Sequence, residues 1–373
     1  MRPGRVAIAC RRVAGVGGTT TTVLEHARRL SALGIAVDVF GQELDRARLR
    51  AVGARAQVLW SWPWMDQRQA FARGFQRAAG GRFDLVHGHG DLREQDLLSL
   101  HNCVHGTHES VHGRPLPATS AVGRLHAEQL SGRRFRLLIA NSELMRADVV
   151  QRFGVPLEQV RVIYPGYDAA RFRAAERSRW RVAERAALGV GAEEVLVGVI
   201  TSGDFVKRGV PAFLAALRQV PAPARARMRI VIAGKEHRLH DYRALARESG
   251  WETRIRFLPP VRAIERLFHA LDLYVHPAPF EEFGQSVQEA LACGVPVLTG
   301  EKVGAAELMV GEARAWLLGR SDPAVIADRL VRLVDDQPLR ARLGVLGPQA
   351  VAGNSWDANF AATLACYDQL GSR

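Results

Sequence analysis

The chain has 373 residues, 47% of them hydrophobic and 24% charged, and carries a formal net charge of +13. That length is too great for one compact core and implies two domains, while the composition excludes disordered and collagen-like classes. No apolar run approaches the roughly 18 residues of a membrane span, so the excess positive charge is left to attract phosphorylated substrates, an anionic membrane surface or nucleic acid.

From the N-terminus, Met1-Arg2-Pro3-Gly4-Arg5 precedes Val6-Ala7-Ile8-Ala9-Cys10, which Arg11-Arg12 interrupt too early for a signal peptide. The segment reads as a first β-strand. Strands are predicted at 5–10, 35–40, 84–88, 97–101 and 136–141, with helices near 19–33, 65–79, 119–131 and 143–153. A charged, strand-poor junction near 166–192 follows. Strands are then predicted at 195–201, 228–233, 254–258, 272–276, 295–299 and 315–318, with helices near 209–219, 239–249, 261–270, 285–293, 304–309, 323–335 and 337–346. Strands alternating with helices predict parallel sheets covered on both faces, an α/β class with two doubly wound units in succession.

Such sheets bind ligands at the carboxyl ends of their strands. After the first strand, Gly15-Val16-Gly17-Gly18-Thr19 opens a helix whose N-terminal amides favour an anion; the same residues also read as a simple turn, because the full dinucleotide fingerprint is absent. Three histidines close the next strands, at His87, His89 and His101. His101 is the candidate active-site residue, as an imidazole donor to ligand hydroxyls or phosphate, and the other two are expected in supporting roles. No carboxylate recurs beside them at zinc spacing, so no metal site is expected. Cys10, Cys103, Cys293 and Cys366 are far apart and match no zinc or disulfide spacing, as expected of a chain in a reducing cytosol.

In the second half, Lys207 and Arg208 stand at a helix start beside Gly209, where a diphosphate needs charge neutralisation and forked donors. Gly234 and Lys235 end the following strand on the same edge. The most informative stretch runs from Pro279 to Val297. Glu281 precedes the helix amides at Phe283-Gly284, and Glu289 lies about 7 Å further along the helix axis. One carboxylate is therefore offered to the reacting end of a bound molecule and the other to something behind it. A different feature stands at Trp60-Ser61-Trp62-Pro63-Trp64-Met65, ahead of Arg68, Phe71, Arg73, Phe75 and Arg77. Its mixture of aromatics and arginines fits a membrane contact or a lipid-linked acceptor groove, and equally the domain's own core.

The order Glu281-x-Phe283-Gly284, then Glu289-Ala290, then Gly294-Val295-Pro296-Val297 resembles the donor-site signature of retaining glycosyltransferases of family 4, which have the GT-B fold. Asn141-Ser142-Glu143, Ile163-Tyr164-Pro165-Gly166-Tyr167-Asp168 and Asn354-Ser355-Trp356 extend the resemblance over nearly the whole chain. Ser202-Gly203-Asp204-Phe205 ahead of Lys207-Arg208-Gly209-Val210 is most similar to the lipopolysaccharide core glucosyltransferases. The resemblance implies two Rossmann-like domains facing a central cleft. The first, on the acceptor side, spans 1–168 and is joined by a terminal helix over 355–373, and the donor domain spans 169–354.

By the same resemblance, Gly17 and Gly18 approach the donor and His101 contacts the transferred sugar. Lys207 and Arg208 hold the diphosphate, with Gly234 and Lys235 nearby; Glu281 and the Phe283-Gly284 backbone hold sugar hydroxyls, and Glu289 binds the ribose. The family's usual Gly-Arg is replaced here by Ser202-Gly203, and its Lys before Gly209 by Arg208. The implied activity is hexosyl transfer from a nucleotide diphosphate sugar, UDP-sugar foremost, to an envelope glycolipid at the cytoplasmic membrane face. Neither cofactor nor metal is expected, there being no Asp-x-Asp motif, and no nucleic-acid partner, the arginines being scattered. A sugar-nucleotide epimerase of the same fold and a non-catalytic sugar- or nucleic-acid-binding protein are the alternatives.

Overall fold

The computed structural model describes residues 2–15 and 17–371. The chain divides into two compact units. One comprises Met1–Glu109, Arg114–Gly166 and Trp356–Arg373, the other Ser110–Gly113 and Tyr167–Ser355. The boundary at Gly166 lies just ahead of the expected 168.

The strands of the first unit are β1 (Arg5–Ala9), β2 (Arg12–Val13), β3 (Ala36–Gly41), β4 (Glu43–Leu44), β5 (Arg55–Val58), β6 (Leu85–Gly88), β7 (Leu97–Ser99), β8 (Leu137–Ala140) and β9 (Val160–Val162). Seven of them form one sheet in the order β5-β3-β1-β6-β7-β8-β9, all pairs parallel, while β2 pairs with β4. The second unit holds β10 (Val195–Ile200), β11 (Met228–Ala233), β12 (Ile255–Leu258), β13 (Leu273–His276) and β14 (Val297–Thr299). These form a parallel sheet in the order β12-β11-β10-β13-β14. In each sheet the chain order reverses beside the first strand, between β1 and β6 and between β10 and β13. Loops leaving those strands part to opposite faces, which opens a crevice for a ligand.

The central strands are apolar on both faces because helices cover both. In β1, Val6 and Ile8 pack with Val23, Ala27 and Leu30 of the helix Gly18–Ala32 and with Phe360 and Tyr367 of the terminal helix Trp356–Leu370. Ala7 and Ala9 face the other way, onto Phe40, Phe71, Phe75 and Phe83. Phe71 and Phe75 lie four residues apart on the helix Gln67–Ala79 and so share its buried stripe; Phe75 meets Phe40 edge-on at 5.0 Å. Truncating either ring to alanine costs about 3–5 kcal/mol.

In the second unit the helix Gln285–Ala292 packs against the helix Gln337–Val351 backbone to backbone. A Cβ at Gly347 would lie 2.6 Å from the Leu291 carbonyl oxygen, and one at Gly344 would lie 2.7 Å from that of Gly294.

Several elements differ from the expectations. The strand expected at 315–318 is a 3-10 helix, Gly311–Trp316, followed by a single bridge from Leu318 to Gly300, because the Leu317 amide still bonds back to Arg314 and only Leu318 reaches the sheet edge, donating to Thr299 and accepting from Glu301 at 2.9 Å each. The segment 304–309 is likewise 3-10, at Gly304–Leu308. Sequence reading passed over β5 and β9, which are edge strands of mixed polarity, and the helices Arg46–Ala51, Val104–His112 and Arg177–Ala187. The last fills the junction read as charged and strand-poor: its Arg185 is buried, pairing with Asp272 and donating to the Gly191 and Glu194 carbonyls.

Candidate active site

At the switch point of the second sheet, the loop after β10 meets the loop after β13. The first loop is held from within. The Asp204 carboxylate accepts from the Lys207 amide at 3.1 Å, and the Glu236 carboxylate accepts from the Phe205 amide at 3.1 Å. Phe205 is buried against Tyr242, ring centroids 5.0 Å apart. The loop closes at Gly209, whose φ of 73° favours glycine. A Cβ there would lie 2.0 Å from the Pro277 carbonyl oxygen, so only glycine lets the two loops touch.

The second loop is pinned to the segment after β14. The Glu281 amide donates to Lys302 at 2.9 Å, the Gly304 amide to Glu281 at 3.0 Å and the Ala305 amide to Phe283 at 2.7 Å. This geometry buries two adjacent carboxylates, leaving Glu281 7% and Glu282 3% exposed. Each meets one of the two adjacent cations. Lys207 Nζ lies 2.9 and 3.3 Å from the Glu282 carboxylate oxygens, and Arg208 forms an ion pair with Glu281. Two buried carboxylates are thus each neutralised by a half-buried cation, as burial of a charge requires. Burial lowers the Arg208 guanidinium from its ordinary value, against the attraction of Glu282, Tyr274 and Asp204.

Behind the pair, His276 ends β13 with Nε2 3.8 Å from Glu281 Oε2. Burial, and secondarily the Arg208 charge, push this imidazole down to about 3, so it is neutral. Its Nδ1 lies 3.3 Å from the Tyr274 hydroxyl, which donates to the Ile200 carbonyl at 2.9 Å and sits 2.7 Å from the Ser286 hydroxyl. His276, Tyr274, Ser286 and Glu282 were not singled out in the sequence. The available signal was charge complementarity: two consecutive cations and two consecutive glutamates, each following a strand of one sheet.

The helix Gln285–Ala292 starts at Gly284, its N-cap, with φ 90°. Glu289 lies on its fifth position, half-buried, and burial pushes its carboxyl up to about 8, with Glu265 adding to the rise and Arg171 opposing it. The Phe283 ring is buried, so what it offers a ligand is backbone. Gly234 and Lys235 end β11 on the same edge, but the missing side chain at Gly234 is used within the fold. A Cβ there would lie 2.7 Å from the Thr201 carbonyl oxygen, and its amide already donates to Leu258 at 3.2 Å. Lys235 is exposed, its carbonyl beside Gly203.

Gly17, Gly18 and His101 belong to the first unit. Gly17 is the N-cap of the helix Gly18–Ala32, with open space where a Cβ would stand. Val16, next to Gly17 in the sequence, lies outside the described residues. His101 is half-buried, its Nε2 2.8 Å from His89 Nδ1 and its ring stacked on that of His89. His87 bonds to the Tyr367 hydroxyl at 2.8 Å and the Ser99 hydroxyl at 2.7 Å, and His26 bonds to Asn359 at 2.8 Å. Burial holds His87 and His89 well below the ordinary imidazole range and His26 at about 4. Among the described residues no group of three or more His, Cys, Asp or Glu is arranged to hold a metal ion.

The profile of the glycosyl transferases group 1 matches residues 191–349, and that of glycosyltransferase family 4 matches residues 16–171. The D-inositol 3-phosphate glycosyltransferase of Salinispora tropica is 30% identical over 398 residues, covering 95% of this chain and 81% of the relative. That of Salinispora arenicola is 29% identical over 396 residues, covering 95% and 87%. Among solved structures, WaaG, a glycosyltransferase involved in lipopolysaccharide biosynthesis, superposes with a TM-score of 0.81 at 18% identity, covering 96% of this chain and 98% of its own. Anabaena Alr3699/HepE in complex with UDP and glucose gives a TM-score of 0.78 at 19% identity, covering 98% and 99%. With two doubly wound units, each matched by its own profile, the chain belongs to glycosyltransferase family 4, has the GT-B fold and is a glycosyltransferase.

Proposed function

We propose that the enzyme transfers a hexose, with retention of configuration and without a resident metal, from a UDP-sugar to a phosphorylated or lipid-linked saccharide acceptor, lipopolysaccharide core foremost, at the inner face of the bacterial cytoplasmic membrane. The observation that carries this reading is the pairing of Lys207 with Glu282 and Arg208 with Glu281 at the switch point of the second sheet. Breaking a sugar–phosphate bond builds negative charge on the departing diphosphate. Two preorganised cations held on a rigid loop stabilise that charge as it forms. When the diphosphate takes over the cations, Glu281 and Glu282 are released as acceptors for sugar hydroxyls, and Glu289 accepts from the ribose.

The names of the relatives support a phosphorylated acceptor, and HepE was solved with UDP and glucose. The test is UDP release from UDP-glucose with lipopolysaccharide inner core and with inositol 3-phosphate as separate acceptors. Arg208→Ala should lower kcat by about 10²–10³. Glu281→Ala should abolish transfer while UDP still binds. Full kcat in both variants would remove these residues from the reaction, and a new sugar nucleotide formed with no acceptor present would make the enzyme an epimerase instead.

A further inference from the structure

The tryptophan cluster of the first unit faces outward. Trp60, Trp62 and Trp64 are 69%, 50% and 77% exposed, and Val58 and Met65 beside them are exposed too. The two phenylalanines of the following helix take the core positions, and the indoles stack on one another, Trp62 on Trp64 at 4.8 Å and Trp60 edge-on to Trp62 at 4.3 Å. Together they expose about as much surface as two free tryptophans, an area that falls among the largest apolar patches of ordinary soluble monomers.

The loop carrying them is built to hold this shape. Gln67 donates to the carbonyls of Trp62 at 2.6 Å and Met65 at 3.0 Å, closing residues 62–65 into an arch. Gln42, on the loop after β3, donates to the Ser61 hydroxyl at 2.6 Å and the Gln67 side chain at 3.1 Å. Asp91 accepts from the Arg11 amide at 2.9 Å and from Arg68 at 3.1 Å, which anchors the base of the arch to the loops after β1 and β6. Arg68 is therefore a strut and not a free charge.

Two further observations bear on the chemistry that the arch would meet. Arg73 and Arg77 are exposed on the helix it leads into, and residues 45–77 carry seven arginines against two aspartates. The arch also leaves the carboxyl end of β5, the outermost strand, on the same sheet edge as Gly17 and His101. Indoles prefer the depth at which acyl chains meet headgroups, and neighbouring arginines add attraction to anionic lipid.

We propose that the arch Trp60–Met65 is a membrane-insertion element. Its three indoles enter the headgroup layer of an anionic bilayer while Arg73 and Arg77 engage lipid phosphates, so the ligand-binding edge of the first unit lies against the lipid surface. This deepens the membrane placement proposed above. It needs no transfer activity to be tested.

The test is co-sedimentation of the full chain with phosphatidylglycerol-containing vesicles and with phosphatidylcholine vesicles, alongside quenching of tryptophan fluorescence by brominated lipid. Wild type should bind the anionic vesicles and be quenched. The triple variant Trp60→Ser, Trp62→Ser, Trp64→Ser should lose the quenching and at least about tenfold in partitioning. Arg73→Gln with Arg77→Gln should lower partitioning onto anionic vesicles by about tenfold or more while leaving phosphatidylcholine binding unchanged. Both variants should keep the wild-type thermal shift with UDP, which separates this proposal from the donor-site reading. Failure of wild type to bind anionic vesicles would overturn the proposal. So would a triple variant that binds vesicles normally but loses transfer to a water-soluble saccharide, for then the indoles serve the acceptor.

Discussion

Replacing Glu289 by glutamine should stabilise the protein at alkaline pH while damaging nucleotide binding. The carboxyl ordinarily titrates at 4.5 and is raised to about 8 by burial. The folded state thus holds a proton that the unfolded state has already released, and stability falls as pH rises from 4.5 through 8. At 1.36 kcal/mol per unit the full difference is about 5 kcal/mol above pH 8. Because Glu289 keeps some contact with solvent, about 2 kcal/mol is the working figure. Glutamine has the same shape and never ionises. The variant should match wild type near pH 4.5 and melt about 4–8 °C higher at pH 8.5.

Differential scanning fluorimetry at both pH values reads this directly. If Glu289 holds ribose hydroxyls, UDP affinity should also fall by about 10–100-fold, the worth of a charge-assisted hydrogen bond in a buried site. Wild type should release a proton on binding UDP near neutral pH, seen as a buffer-dependent enthalpy. An equal melting shift at both pH values, or a lower melting temperature at pH 8.5, would refute the reasoning.

Two further outcomes rest on other parts of the structure. Gly209→Ala places a Cβ 2.0 Å from a backbone oxygen at φ 73°, so it should cost about 2–5 kcal/mol in chemical denaturation and depress kcat by displacing Arg208. Unchanged stability would mean that the two loops do not meet as described. His26 is held at about 4 by burial; as pH falls from 6.5 to 4 the unfolded state takes up its proton first, and about 3 kcal/mol is lost. His26→Gln can keep a bond to Asn359, so its near-ultraviolet circular dichroism should survive to a lower pH than wild type. A coincident acid transition would count against this.

What was legible in the sequence tracks what is local. The strands β1, β10, β11 and β13 are continuous apolar runs because helices cover both of their faces. Edge strands carry weaker signals, and Arg55-Ala56-Gln57-Val58 and Val160-Arg161-Val162 do not stand out. Arginine content masked the helix Arg177–Ala187, whose Arg185 is internal. At the site, Lys207, Arg208 and Glu281 were visible as residue types following strands, and Glu289 as a position on the next helix. The pairing of Lys207 with Glu282 across 75 positions was not, since it depends on β13 lying next to β10. Composition also left open whether the aromatics of 60–75 were core or surface. Both were true: Phe71 and Phe75 sit four residues apart facing Phe40, while the tryptophans belong to a loop that Gln67 holds away from the core.

The bare contact between the helices Gln285–Ala292 and Gln337–Val351 bears on the nucleotide as well. With Gly344 and Gly347 against the carbonyls of Gly294 and Leu291, the first helix has no side-chain cushion behind it and no room to roll about its axis. The direction in which Glu289 points is consequently fixed by a helix that contributes none of the candidate donor-site residues. A methyl group placed at Gly344 or Gly347 should therefore push that helix and Glu289 with it, and, if Glu289 holds the ribose as proposed, should weaken UDP binding from positions outside the donor site.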